Sequence, residues 1–160
     1  MLAAPARTFQ KVSHLILEVS ALRYRMNQTK TIPIVFDGGT PCNVPSRGYG
    51  EGYGSFTLNG QRPWRLQFGE PMSANAAEIR TLICAIRVVL LVESNPHNVI
   101  LEITGDSQIA LGRCHKGRKP PKGSGPFVRA CEELRIVCSQ FYKVRTKWHK
   151  RDRSVELFGH

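Results

Sequence analysis

Apolar positions change their period several times along this chain, and each change marks an element. Ile32, Pro33, Ile34, Val35 and Phe36 form a short apolar run closed by Asp37-Gly38-Gly39, which predicts a buried strand over 32–37. From Gly48 to Leu58, Gly, Tyr, Ser and Phe alternate, as in a strand with close backbone contacts. Asn59-Gly60 is a hairpin signal, and Trp64, Leu66 and Phe68 then alternate as a third strand. From Ser73 to Val92 the period becomes helical, with Ile79, Leu82, Ile83, Ile86 and Leu90 as the buried stripe. Asn95-Pro96 stops that helix, and residues 98–104 read as a fourth strand. Asp106 to Arg113 predicts a short helix with Ile109 and Leu111 as candidate buried residues. A loop of Lys, Arg, Gly and Pro follows from His115 to Gly125. Phe127, Cys131, Leu134 and Cys138 mark another helix, and Phe141 to Trp148 a fifth strand.

This order predicts an α/β fold: a five-stranded mixed sheet with flanking helices, its first three strands an antiparallel meander followed by the fourth and fifth. Upstream, Val12, Leu15, Ile16, Val19 and Leu22 share one helical face. Residues 1–30 therefore read as an N-terminal helix and linker, and residues 31–160 as one domain.

Charge adds a direction to this picture. The chain carries 23 Lys and Arg against 12 Asp and Glu, a net charge of +11. The excess is lopsided: residues 1–106 hold ten basic and eight acidic groups, residues 107–160 thirteen and four. A basic half of this kind suits a polyanionic partner. The five cysteines are odd in number and form no Cys-x-x-Cys pair, so neither a disulfide framework nor a zinc site is indicated. That usage points to the cytoplasm or another reducing compartment. No stretch is long and apolar enough to span a membrane, and no membrane partner is expected. The first 25 residues bear Arg and little acid, as organelle transit peptides do, but Glu18 and the helical length favour an ordinary appended helix.

The candidate chemistry lies in three acids, each at the edge of an element. Asp37 ends the first strand, Glu78 lies in the first turns of the long helix, and Asp106 follows the fourth strand. Each alone has an ordinary explanation: a turn residue, a favourable charge near a helix N-terminus, a helix cap. Together they are a way of gathering carboxylates at one end of a sheet, where they repel unless a hard cation such as Mg²⁺ lies between them. No convincing Ser/His/Asp set competes.

In order and spacing these pieces resemble the ribonuclease H family, type 1. The resemblance spans about residues 32–160 and rests on Phe36-Asp37-Gly38-Gly39, Asn75-x-x-Glu78 and Gly105-Asp106-Ser107-Gln108. It implies a metal-dependent endonuclease that hydrolyses the RNA strand of RNA–DNA hybrids with two Mg²⁺ or Mn²⁺ ions held by Asp37, Glu78 and Asp106. It also implies minor-groove contacts from Asn75 and Gln108, although a helix cap and an exposed side chain are the plain alternatives. The loop carrying Lys116, Arg118, Lys119 and Lys122 lies where many members have a basic handle, and phosphate contact is the matching expectation. Lys143, Arg145, Lys147, Lys150 and Arg151 extend the same charge sign. Trp148-His149-Lys150-Arg151 is similar to the strand-end Trp-x-Pro-Arg of many members, which implicates Trp148 and Arg151 in nucleic-acid binding.

The departures come last. No Asp stands at the family's fourth acidic position. His160 lies nearest to it, with Glu156 and Asp152 as other candidates, and a neutral imidazole suits Mn²⁺ better than Mg²⁺. The closing helix is expected to be missing or truncated, and no hybrid-binding domain is expected ahead of the core. Two other functions remain open: a catalytically impaired nucleic-acid-binding module, and a nuclease of the same fold acting on another nucleic acid.

Overall fold

The computed structural model describes residues 28–115, 119, 121–123 and 125–159. Elements in chain order are β1 (Lys30–Gly39), β2 (Asn43–Val44), β3 (Gly48–Tyr49), β4 (Glu51–Leu58), β5 (Trp64–Pro71), α1 (Ala74–Val92), β6 (Val99–Gly105), α2 (Gln108–Arg113), α3 (Pro126–Ser139), β7 (Lys143–Trp148) and α4 (Arg151–Phe158). The N-terminal helix expected within residues 1–30 lies outside the described residues, apart from the linker's last positions.

The main sheet has five strands in the order β5-β4-β1-β6-β7. β1, β4 and β5 form the expected antiparallel meander, while β6 runs parallel to β1 and β7 parallel to β6. Alternation decides which face is covered. Ile32, Ile34 and Phe36 of β1 and Leu101 and Ile103 of β6 turn toward α1, whose Ile79, Leu82, Ile83, Ile86 and Val89 are buried against them. α3 packs against α1 and adds Ala130, Cys131, Leu134 and Cys138 to the same core. At roughly 1.5–3 kcal/mol for each fully buried aliphatic side chain, this one layer dominates the stability of the domain.

Several boundaries differ from the sequence reading. The run from Gly48 to Leu58 is two strands: Gly50 N–H bonds Cys42 O at 2.9 Å, which diverts the chain into the small β2–β3 hairpin before β4 begins. α1 is capped by Ser73, whose hydroxyl accepts from Ala76 N–H, so Asn75 is not a cap. α2 likewise starts at Gln108 with Ser107 as its cap, so Asp106 is not one either. Ile109 is exposed while Leu111 is buried, because Ala110 and Leu111 occupy the inward side of so short a helix.

The closing helix exists in shortened form, as the eight residues of α4. It lies over the sheet face away from α1. Phe158 is buried, its carbonyl accepts from Arg65 Nη2 at 2.9 Å, and the buried Ser154 hydroxyl meets His149 Nε2 at 2.9 Å. Gly159 then ends the helix with a left-handed backbone, φ 77°.

Candidate metal centre

Asp37, Glu78 and Asp106 come together, each offering a carboxylate oxygen within 4.8 Å of the others. Their convergence follows from three local features. β1 and β6 are parallel neighbours, so Asp37 and Asp106 leave the sheet at the same end. Gly38 lets α1 approach β1: a Cβ there would stand 2.8 Å from the backbone of Ala77 and Glu78. Gly54 on β4 similarly leaves room for Thr81, whose hydroxyl donates to Ala77 O at 2.8 Å one helical turn back. α1 is thereby seated low enough for Glu78 to reach the strand ends.

The electrostatics are those of crowded carboxylates. Asp37 is buried, and Glu78 and Asp106 are half-buried. The Glu78 carboxyl is pushed up from 4.5 to about 7, chiefly by burial, with Asp106 and Asp37 adding repulsion. A hydrogen bond from Ser107 and the nearby Arg151 charge pull the other way. Ser107 therefore does two things: its hydroxyl donates to Glu78 and accepts from Ala110 N–H at 3.2 Å. The sequence reading missed this role, although the Asp-Ser-Gln string held the signal. An all-carboxylate set whose members resist simultaneous ionisation fits a hard divalent cation, which takes oxygen ligands and relieves the repulsion.

The other candidate residues fall into three groups. Asn75 and Gln108 are exposed near the N-termini of α1 and α2, the helices that carry or follow the acids. Trp148 is half-exposed, and its indole N–H donates to Asp106 O at 3.0 Å, tying the end of β7 to the backbone of the acidic trio. Arg151 is exposed in the first turn of α4, close enough for its charge to reach Glu78. Lys119 and Lys122 are exposed, and Lys119 O accepts from Arg113 Nη1 at 2.9 Å. Lys116, Arg118 and His160 lie outside the described residues. Asp152 and Glu156 are exposed on α4 and do not join the acidic trio among the described residues.

No family model matches the chain, and no curated protein does. Solved structures do. The N-terminal RNase H domain of a Mycobacterium tuberculosis protein, studied as a fusion with maltose-binding protein, is similar at TM-score 0.63 and 18% identity, over 79% of this chain and 87% of that one. RNase H1 from the halophilic archaeon Halobacterium salinarum gives TM-score 0.60 and 17% identity, over 81% and 93%. LC11-RNase H1, isolated from compost by a metagenomic approach and solved in complex with an RNA/DNA hybrid, gives 0.63 and 14%, over 79% and 90%. At these identities the likeness is one of architecture, and with its mixed sheet and strand-end acids this chain has the ribonuclease H fold.

Proposed function

We propose that this protein is a metal-dependent endoribonuclease that hydrolyses the RNA strand of RNA–DNA hybrids. The observation that carries the reading is the trio Asp37, Glu78 and Asp106, with carboxylate oxygens within 4.8 Å of one another at the end of two parallel strands. These residues would hold two Mg²⁺ or Mn²⁺ ions, which when bound supply activation of water and charge stabilisation of the leaving oxygen. Glu78 must give up its proton for that role, and Ser107 and Arg151 favour the ionised form.

Asn75 and Gln108 flank the trio from two helix starts, suited to a wide minor groove that displays 2′-hydroxyls. Trp148 holds the Asp106 backbone through its indole N–H and leaves half of its surface for a substrate. Lys119, Lys122 and Arg151 supply phosphate-neutralising charge, with Lys116 and Arg118 in the same loop as the two lysines. The likeness to LC11-RNase H1, a protein solved with an RNA/DNA hybrid, supports the substrate class. The test is cleavage of a labelled RNA–DNA hybrid by the purified chain with Mg²⁺ or Mn²⁺. Metal-dependent RNA cuts that disappear in Asp37→Asn are expected, and no cleavage by the unaltered chain in either metal would overturn the reading.

One observation favours a second reading. Among the described residues no fourth carboxylate joins the trio, which suits a module that binds nucleic acid without cutting it. Hybrid binding without cleavage in the same assay would select it.

A further inference from the structure

α4 covers only part of the sheet face that α1 leaves open, and a groove of about 550 Å³ remains beside it. Val35 and Thr57 form its floor, at a level of β1 and β4 two residues along from where Asp37 pairs with Ser55. Arg153 and Leu157, four apart on α4, form one wall, and Arg62 in the β4–β5 connection forms another. Lys147 closes the β7 side. Arg145 lies two residues earlier on the same strand and therefore on the same face, since Val144 beside it packs toward the core.

Arg62, Arg145, Lys147 and Arg153 are all exposed, and none of the four has an ion-pair partner among the described residues. On other surfaces of the molecule, exposed cations find carboxylates: Lys30 pairs with Glu93, Arg80 with Glu70, Arg87 with Glu133 and Arg135 with Glu132. Glu102 is the one carboxylate lining the groove among the described residues. Four cations unpaired among the described residues, around a partly apolar floor, call for an anion with a flat, weakly polar body.

We propose that this groove binds a single strand of nucleic acid, at a site distinct from the acidic trio. The reading of the protein as a nuclease motivates the ligand class, but the groove's chemistry stands on its own residues. Arg145 and Lys147 are about 6.6 Å apart along β7 and on one face of it. Their charges suit phosphates of a single backbone running along the strand. Val35 on the floor, with Pro63 and Leu157 on the walls, offers apolar surface to a base face, and Arg62 and Arg153 can lie flat against bases as guanidinium planes do. α4 and the 59–63 connection stand above the sheet on two sides. A single strand with splayed bases reaches the floor between them, and the stacked cylinder of a duplex does not. The strand bound here would be one that runs off the end of a hybrid.

The experiment measures anisotropy of a labelled homothymidine oligonucleotide with the full chain, at several salt concentrations and without divalent metal. Arg62→Ala/Arg145→Ala/Lys147→Ala/Arg153→Ala should weaken binding at least about tenfold and reduce the salt slope by about 0.7 for each phosphate no longer neutralised. Glu102→Gln, which removes the groove's own carboxylate, should tighten binding about two- to threefold, so a folding defect in the first variant cannot imitate the whole pattern. Cleavage of a blunt hybrid at saturation should be unchanged in Arg62→Ala/Arg153→Ala and in Glu102→Gln. Loss of strand binding in the first variant with no hybrid cleavage by any chain would retain the groove and reject the nuclease reading. Unchanged oligonucleotide affinity in the first variant, weaker binding in Glu102→Gln, or loss of blunt-hybrid turnover in Arg62→Ala/Arg153→Ala or Glu102→Gln would overturn the groove proposal. So would competition by poly-glutamate as effective as by the oligonucleotide, which would point to an acidic protein instead.

Discussion

Two charged regions flank α4, and they are built in opposite ways. The acidic trio is drawn from β1, α1 and the β6–α2 junction, is at least half-buried, and is held by close backbone packing at Gly38 and a shared hydroxyl at Ser107. The basic groups around the groove are exposed and have no ion-pair partner among the described residues, and Lys119 and Lys122 in the 115–125 loop are exposed too. In the first region, three negative charges are forced together and geometry is everything. In the second, water screens each charge, so no single cation dominates. Substitutions should therefore act all-or-none in the trio and in small additive steps on the basic surface.

Asp37→Asn or Asp106→Asn should break the comparison most. On the proposed function each removes a metal ligand, so hybrid cleavage should fall by about a thousandfold, equivalent to ~4 kcal/mol, while circular dichroism shows an intact or slightly stabilised fold. Substantial cleavage by Asp37→Asn would mean that the trio is not the catalytic centre. Gly38→Ala comes next. Its Cβ would meet the Ala77 and Glu78 backbone at 2.8 Å, forcing α1 away from β1. Stability should drop by about 2–3 kcal/mol in denaturant unfolding, and cleavage should fall with it.

Glu78 tests the crowding itself. Its carboxyl titrates at about 7 in the folded chain against 4.5 as a free group, so between those values the folded chain holds the extra proton. Metal-free stability must then fall as pH rises through that window. Glu78→Gln should flatten this fall and leave the metal-free variant more stable at about pH 8 by on the order of 2 kcal/mol. Thermal melts at about pH 5 and about pH 8 check it, and a variant as pH-dependent as the unaltered chain would remove Glu78 from the crowded set.

Ser107→Ala should cost about 1 kcal/mol by uncapping α2 and leave Glu78 harder to ionise. Its cleavage rate should therefore depend more steeply on pH below neutrality, which Ser107→Thr should restore. The smallest effect belongs to Lys119→Ala/Lys122→Ala. Turnover at saturating hybrid should hardly change, and the salt dependence of hybrid affinity should flatten by about 0.7–0.9 for each phosphate that the loop had neutralised. An unchanged slope would leave that loop a solvated surface.

Hydrophobic period and turn residues determined much of this molecule locally. The apolar run ending at Asp37, the helical stripe from Ile79 to Ile86 and the Asn59-Gly60 hairpin all appear where the sequence puts them, because burial and backbone sterics act over a few neighbouring residues. The order of acids, carried by three short motifs, was legible too, as was their expected convergence. Tertiary structure decided the rest. Whether Asn75 or Ser73 caps α1 depends on which residue leaves the helical backbone, and local composition allowed either. That Ser107 reaches Glu78 follows from α1 and the end of β6 meeting across 29 residues of sequence, a distance over which no period carries information. The groove is a tertiary product as well: Arg62 and Lys147 acquire a common neighbour only when β4, β1, β6 and β7 pair side by side and α4 stops short of covering them. Sequence patterns report what each residue buries, and only the packed sheet brings charges from distant segments onto one face.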